Sequence, residues 1–198
     1  MIRYFCAVFL LLTTVSFAQN LDELSLKYAK SSFDELKEFF SLPNDAYQPA
    51  QIEPNVKWCE IAFAKRGFKT KRLDTETVPL LLATRNYPNA KKTVLVYLQV
   101  DGQPVDVTKW QQSDPYIPEL KEEDESGNWT AIDWSNLNGE INRDWRIFSR
   151  SASDARGPDM MFLKAMDIIN DLEVQPNFNI KVILDFEEEL GSPRLPKA

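Results

Sequence analysis

Histidine is absent from the 198 residues of this chain. Its absence excludes acid–base catalysis by imidazole, nucleophilic triads in which a histidine activates serine or cysteine, and histidine-rich zinc sites. The 30 aspartate and glutamate residues are therefore the first groups to consider for any metal or proton chemistry.

Cysteine and positive charge are also scarce. Of the two cysteines, Cys6 lies in an N-terminal apolar run, which leaves Cys59 without an internal disulfide partner once that run is removed. We expect Cys59 to be a buried small apolar residue. The formal net charge is −7, and no basic patch is available to neutralise phosphates, so the sequence argues against nucleic-acid binding.

The N-terminus has the pattern of a secretory signal peptide over residues 1–18. Arg3 supplies the positive end, residues 4–15 the apolar run, and Ser16-Phe17-Ala18 the small residues at the cleavage site. The alternative, a membrane anchor, is disfavoured because the apolar run is too short to span a bilayer. We expect a periplasmic or secreted protein with no membrane attachment after cleavage.

The remaining residues, 19–198, suffice for one domain and show two hydrophobic periods. Helical spacing predicts three helices: one begins at the capping box Ser32–Glu35 and is stopped by Pro43, the second runs over Val56–Arg66, and the third over Pro158–Leu172, with Met161 and Leu172 on its buried side. Five apolar or alternating runs predict strands, namely Phe68–Leu73, Val78–Ala83, Val94–Leu98, Arg146–Phe148 and Ile180–Phe186.

This order predicts an α/β fold in which helices pack on a mixed sheet. The runs Val78–Ala83 and Val94–Leu98 are continuously apolar, which is typical of strands covered on both faces. Asp114–Asp144 is polar and acidic, and we interpret it as a long excursion anchored by Trp129 and Trp134.

Three acidic segments follow predicted strands, at the position where α/β proteins build their sites. The first is Leu98–Asp106, the second Ser149–Pro158 and the third Asp185–Pro193. Their carboxylates Asp101, Asp154, Glu188 and Glu189 could converge on hard divalent ions, which two-metal sites hold about 3.5–4 Å apart. One of two adjacent glutamates could then bind a metal while the other takes a proton from water.

Each segment also has a simpler interpretation on its own. The run Glu187–Glu189 could be a solvated strand end, Asp154 a helix cap, and Asp101 a turn residue before Gly102. The occurrence of all three segments in order, with glycine and proline beside them, favours a site.

The same residues resemble the motifs of a dizinc metallopeptidase family, peptidase family M-twenty. This family includes carboxypeptidase G, carnosinase-type dipeptidases, aminoacylase and succinyl-diaminopimelate desuccinylase. Its first motif, His-Xaa-Asp followed by Xaa-Gln-Pro-Val-Asp, resembles residues 99–106. Its second, Gly-Arg-Gly-Xaa-Xaa-Asp-Xaa-Lys-Gly, resembles residues 149–157. Its third, Glu-Glu-Xaa-Gly-Ser, resembles residues 188–192.

The resemblance implies a zinc-dependent exopeptidase fold and a role for each candidate residue. By it, Asp154 bridges two zinc ions, Glu189 is a metal ligand, Glu188 is the general base and Asp101 orients the first ligand. Gln99 stands at the position of the family's first histidine ligand. The family's remaining ligands fall beyond residue 198, so residues 19–198 are interpreted as the N-terminal part of a truncated catalytic domain.

The expected function is metal-dependent cleavage of an amide bond in a peptide or N-acyl amino acid. Because imidazole donors are missing, carboxylates and an amide would tolerate magnesium, manganese or zinc. The alternative is a catalytically inactive homologue or fragment that acts at most as a binding protein. An exported α/β domain of unrelated function is the third interpretation, and the oligomeric state stays open.

Overall fold

The computed structural model describes residues 21–197, so the predicted signal peptide lies outside the described residues. The helices are α1 (residues 21–30), α2 (Phe33–Phe40), α3 (Pro49–Lys65) and α4 (Gly157–Asp171). The strands are β1 (Lys69–Leu73), β2 (Leu80–Arg85), β3 (Lys92–Gln99), β4 (Glu119–Glu123), β5 (Trp129–Ile132), β6 (Arg146–Phe148) and β7 (Phe178–Asp185). Between residues 21 and 197, no helix has the length and apolar character needed to cross a membrane.

The main sheet has the strand order β1-β2-β7-β3. Strands β3 and β7 are parallel, whereas β2 is antiparallel to both β1 and β7. The chain passes from β3 to β7 through the second sheet and α4, which packs on the main sheet. The predicted α/β fold with a mixed sheet and packed helices is confirmed.

The core lies on one face of this sheet. Leu81 of β2 pairs with Leu184 of β7, and both are fully buried in one cluster with Phe63 of α3 and Leu163 of α4. Because alternate strand residues point to opposite faces, this pattern puts the helices over one face. Leu95 of β3, by contrast, is 61% exposed.

An ion cluster joins three of the helices. Arg66, which directly follows α3, is almost fully buried and lies 2.8 Å from Glu35 of α2 and 2.8 Å from Asp167 of α4. Lys164 of α4 lies 2.8 Å from the same Glu35 carboxylate. Burial favours protonation of Glu35, but hydrogen bonds from Arg66 and Lys164 outweigh it and lower the pKa of Glu35 to about 2.

The predicted excursion folds into a second sheet of order β5-β4-β6. Trp129 packs against Phe148 with ring centroids 5.1 Å apart, and Trp134 lies 6.4 Å from Phe33 of α2. Both tryptophans therefore make the anchoring contacts expected of them. The two strands within residues 114–144 were not predicted, because their residues are mostly charged and polar.

Helix α3 begins seven residues earlier than the sequence predicts. Pro49 is its first residue, where the missing N–H costs nothing, and Pro54 lies inside the helix. Ile52 and Val56 are fully buried, so packing of this segment offsets the unfavourable Pro54. The predicted start of this helix at Val56 was wrong.

The predicted capping box at Ser32 is also wrong, although α2 begins directly after Ser32 and ends at Phe40, before Pro43. Ser32 is itself in a helical conformation, and its hydroxyl donates to the Ala29 carbonyl at 2.6 Å. Because α1 runs almost directly into α2, the turn before α2 offers that carbonyl as a partner. Glu35, the other half of the box, binds Arg66 instead.

Two predictions of burial were wrong at the edges of the fold. Val94 and Leu95 are 43% and 61% exposed, because β3 lies at the edge of the sheet. Met161 and Leu172 of the third predicted helix are 73% and 48% exposed. Cys59 is buried, as expected.

Candidate functional site

The first and third acidic segments leave the sheet side by side. Gln99 ends β3 and pairs in register with Asp185, the last residue of the parallel strand β7. The pairing continues one step further, where the Val100 N–H donates to the Asp185 carbonyl at 2.9 Å. Parallel strands deliver their carboxyl ends to one edge of a sheet, so the two segments start from adjacent positions.

Asp101 joins these two segments. It is fully buried, its Oδ1 accepts the Glu188 N–H at 3.1 Å, and its Oδ2 accepts the Glu189 N–H at 3.0 Å. Burial raises the pKa of Asp101 to about 7, against the opposing effect of these two backbone N–H donors. The carboxylate therefore fixes the backbone that carries the two predicted functional glutamates.

Asp185 makes a matching contact that the sequence analysis did not assign. It is almost fully buried, its Oδ1 accepts the Glu187 N–H at 2.9 Å, and its Oδ2 accepts the Tyr97 hydroxyl at 2.9 Å. Three successive N–H groups of the acidic turn are thus held by two buried carboxylates. The sequence offered one signal for this role of Asp185, because an aspartate at the end of a largely apolar strand is unusual unless it has a partner.

The acidic turn is a single 3₁₀ turn over Glu188–Leu190, closed by Gly191 in the left-handed region at φ 83°. Its two candidate side chains are half-buried. Burial raises the pKa of Glu188, and so does the negative charge of Glu189, Asp154 and Asp185. These contributions indicate that Glu188 shares one electrostatic environment with all three carboxylates.

Glu187 and Glu189 have different partners. Glu187 is buried, and its carboxylate accepts a hydrogen bond from the Thr77 hydroxyl at 2.6 Å. This contact holds the Glu187 side chain inside the fold, so we assign it a structural role. Glu189 accepts the side-chain amide of Gln103 at 2.8 Å, which links the first acidic segment to the third for a second time. Only Glu188 and Glu189 of the three glutamates therefore remain candidates for chemistry.

The second acidic segment reaches the first through a close backbone approach. A Cβ atom on Gly102 would lie 2.3 Å from the Ser151 hydroxyl, so any larger residue there would have to displace Ser151. Fully buried Asn44 donates to the Val100 carbonyl at 2.8 Å and to the Ser151 hydroxyl at 3.0 Å. Three residues after Ser151, Asp154 is exposed to solvent and its backbone is not helical. The peptide bond between Asp154 and Ala155 is cis.

Arg156 anchors the end of this segment. Its guanidinium is fully buried and donates to the Phe39 and Leu42 carbonyls at 2.8 Å each, and also to the Asn55 side chain. Arg156 stands at the position of a lysine in the second motif, and the sequence predicts no structural role for it. Its partners lie more than 100 residues away in the sequence, which is why the pattern alone did not identify it.

A cavity of about 270 Å³ opens beside the carboxylates. Its lining includes Asp154 and Glu189, together with Gln103, Trp110 and Arg150. The Nε of Arg150 is buried and makes no hydrogen bond within residues 21–197. A larger, mostly apolar cavity of about 500 Å³ lies among α1, α2 and α4, away from the acidic turn.

The predicted site residues are therefore gathered at one end of the sheet, but they do not form a metal cluster by themselves. Between residues 21 and 197, no group of three or more acidic or cysteine side chains is placed to hold a metal ion. Gln99 is half-buried, and its side-chain nitrogen has no hydrogen-bond partner in that range. The roles implied for Asp101, Asp154, Glu188, Glu189 and Gln99 stay predictions.

Comparison with known proteins supports the fold. No family model and no curated protein matches the sequence. Among solved structures, the chain is similar to human carnosine dipeptidase 1, with 23% identity and a TM-score of 0.65. The match covers 87% of this chain and 36% of the dipeptidase.

Two further structures agree. The M20 family metallo-carboxypeptidase Sso-CP2 from Sulfolobus solfataricus is 29% identical, with a TM-score of 0.63, and the match covers 81% of this chain and 32% of that one. The di-peptidase Dug1p from Saccharomyces cerevisiae is 19% identical, with a TM-score of 0.64, over 87% and 36% of the two chains. The chain has the fold of M20 peptidase domains and spans about a third of the length of these proteins.

Proposed function

We propose that the chain carries part of the active site of a hydrolase that cleaves an amide bond in a peptide or N-acyl amino acid. The observation that carries this proposal is the pair of hydrogen bonds that the Asp101 carboxylate accepts from the Glu188 and Glu189 N–H groups. Asp101 and Glu189 are 88 positions apart, so these bonds join the first and third acidic segments into one structural unit. The peptidase fold of the solved relatives supports the reaction class.

Glu188 is the proposed general base. Burial and three neighbouring carboxylates raise the pKa of Glu188 from its ordinary value, in the direction of the pH at which a base works best. Asp101 acts on it only through the backbone, because both of its oxygens accept N–H groups. Substrate would enter the 270 Å³ cavity, where Trp110 and Arg150 offer an apolar surface and a positive charge.

The residues present do not fit a complete zinc site. Asp154 and Glu189 line one cavity, but the Glu189 carboxylate is shared with Gln103 and both Asp101 oxygens are occupied. Gln99 offers an amide, a poorer zinc ligand than imidazole. We therefore assign Asp154 and Glu189 as the proposed oxygen ligands of a partial divalent-ion site and assign no catalytic step to a metal.

A second candidate function is ligand binding without hydrolysis. Arg150 favours it, since its buried Nε has no hydrogen-bond partner among residues 21–197 and suits the carboxylate of a peptide or N-acyl amino acid. The hydrogen bond from Gln103 to Glu189 also favours it, because it ties up a proposed metal ligand.

Calorimetric titration of the purified chain with manganese and zinc tests the partial site. We expect weak binding, with a Kd of about 10⁻⁴–10⁻³ M as in exposed carboxylate sites. Glu189→Gln and Asp154→Asn should each weaken it by about tenfold or more, because each removes one of two charged ligands. Glu125→Gln is the matched control, since Glu125 is exposed in the turn after β4. Equal binding by all four proteins would contradict the partial site.

Hydrolysis of dipeptides and N-acetyl amino acids in the same metal buffers separates the two candidates. If the wild-type chain hydrolyses these substrates and the Glu188→Gln variant does not, the hydrolase is supported. Binding of these ligands without turnover, lost in Arg150→Gln and retained in Glu188→Gln, supports the binding protein.

We further propose that residues 1–18 direct export, so that the protein meets its ligand in the periplasm or outside the cell.

A further inference from the structure

Asp159 is a carboxyl group in the interior of the fold, and it has no hydrogen-bond partner. The residue lies in the first turn of α4 and is 2% exposed. Both of its oxygens are buried, and neither accepts a hydrogen bond within residues 21–197. It falls on the same helix face as Leu163 and Met166, which belong to the core. The proposed active site does not use this group.

The positive charge nearest in sequence is already engaged elsewhere. Arg156 lies three residues before Asp159, and its fully buried guanidinium donates to the Phe39 and Leu42 carbonyls and to the Asn55 side chain. It donates no hydrogen bond to Asp159. An ionised carboxylate that is buried without a donor is costly, so this environment favours the neutral acid.

The other groups around Asp159 do not change this balance. Burial raises the pKa of Asp159 well above its ordinary value, and within residues 21–197 the charge of Arg156 is the only one that opposes this shift. Cys59 of α3 is the neighbouring titratable group. Burial and the charges of Asp159 and Glu60 raise the pKa of its thiol, so Cys59 supplies no positive charge and stays protonated.

The first turn of α4 is joined tightly to the second acidic segment. The Gly157 N–H donates to the Ala152 carbonyl, and a Cβ atom on Gly157 would lie 2.4 Å from that oxygen. The Arg156 N–H donates to the Ser151 carbonyl at 3.0 Å. Because Asp154 lies in the loop that these contacts close, a movement of the first turn of α4 also moves Asp154.

We propose that Asp159 is a pH-sensitive switch that holds the first turn of α4, and with it the loop of Asp154, only while its carboxyl is neutral. On ionisation the proton passes to solvent, and the remaining charge needs water that the packed turn does not admit. The first turn of α4 therefore opens locally. This switch does not depend on the proposed hydrolase activity.

The direction of the pH dependence follows from the environment of Asp159. The unfolded chain has a carboxyl pKa of about 3.9, and the folded state holds the proton more tightly. The stabilisation is therefore fully present below about pH 3.9 and is lost as the pH rises through the raised pKa of the folded state.

Hydrogen exchange of the purified wild-type chain between pH 5 and 9 tests the switch. After correction for intrinsic exchange rates, protection of residues 157–162 should fall by up to about tenfold per pH unit, because opening releases one proton. Asp159→Asn and the apolar Asp159→Leu should each remove this dependence. Glu173→Gln, at an exposed position just after α4, is the matched control and should retain it.

Asp101 titrates in the same direction and needs its own variant. Asp101→Asn should leave the pH dependence of residues 157–162 in place, because Asp101 does not contact Asp159. Protection that is constant from pH 5 to 9, or a loss that persists in both Asp159 variants, would overturn the switch. A loss abolished by Asp101→Asn alone would overturn it as well.

Carbon NMR of the aspartate carboxyl groups reads the protonation state directly. The Asp159 signal, identified by its disappearance in Asp159→Asn, should have the chemical shift of a neutral acid at pH 6. The signal of Asp34, which is 97% exposed, should have that of a carboxylate in the same spectrum and is identified with Asp34→Asn. An ionised Asp159 at pH 6 in the folded protein would overturn the proposal.

Discussion

The Asp101 carboxylate accepts the Glu189 N–H at 3.0 Å across 88 positions of sequence. This bond, together with its partner bond to Glu188, makes the first and third acidic segments a single unit at the end of two parallel strands. The second segment reaches the same unit through Gly102 and Ser151. The proposed hydrolase site depends on this junction.

Loss of the proton from Asp101 should make the fold less stable as the pH rises from about 4 to about 7. Its pKa is raised to about 7 in the folded protein, mainly by burial, while the unfolded chain has a value near about 3.9. The folded state therefore binds the proton more tightly, so the stabilisation is present below pH 4 and is lost as the pH passes 7.

Urea unfolding of wild type and Asp101→Asn over that range measures this effect. The difference in unfolding free energy between the two proteins should change with pH, because asparagine does not titrate. At pH 4 the substitution should cost about 1–3 kcal/mol, since an amide nitrogen then faces a buried N–H donor. A difference that is constant from pH 4 to 8 would contradict the raised pKa.

Glu35 should give the opposite pH dependence. Its pKa is lowered to about 2 because hydrogen bonds from Arg66 and Lys164 outweigh the effect of burial. This contribution is present above the unfolded value of about 4.3 and is lost as the pH falls toward 2. Thermal melts of Glu35→Gln should lie below wild type at pH 7 and converge with it at pH 2. Asp34→Asn is the control, since Asp34 is exposed on the same helix. A gap that persists at pH 2 would assign the effect to packing.

Gly102→Ala should destabilise the junction of the first two segments by about 1–3 kcal/mol, the usual cost of overpacking. The added methyl group would lie 2.3 Å from the Ser151 hydroxyl. Adding Ser151→Gly removes that hydroxyl and suits the positive φ of 58° at this residue, so the double variant should recover most of the loss. The measurement is chemical denaturation of the two single variants and the double variant. If the changes in unfolding free energy of the two single variants simply add in the double variant, the contact between residue 102 and Ser151 is not the cause of the destabilisation.

Much of this arrangement follows from local pattern. The apolar runs before Asp101 and Asp185 predicted two strands, and the turn residues after them predicted a site where those strands end. The exposure of Leu95 could not be predicted from the sequence, because an apolar run does not show whether a strand lies in the centre of a sheet or at its edge. The start of α3 at Pro49 did not follow either, since burial of Ile52 outweighs the unfavourable Pro54.

The contacts that order the site are the least predictable part. Gln103 binds Glu189, and Arg156 binds the Phe39 carbonyl, across 86 and 117 positions. Such pairs depend on how the whole domain packs, and nothing in the local sequence of either partner specifies the other. The motif resemblance named Asp101 and Glu189, but not the bond between them.

Zinc affinity of a Gln99→His variant tests the central claim most directly, because it asks whether the three acidic segments converge on one ion. Histidine at the end of β3 should strengthen zinc binding by about tenfold or more over wild type, since imidazole is the better ligand. Adding Glu189→Gln should remove that gain, while Glu125→Gln should leave it intact. An unchanged affinity in Gln99→His, or a gain that survives without Glu189, would contradict the convergence of these segments on one metal ion.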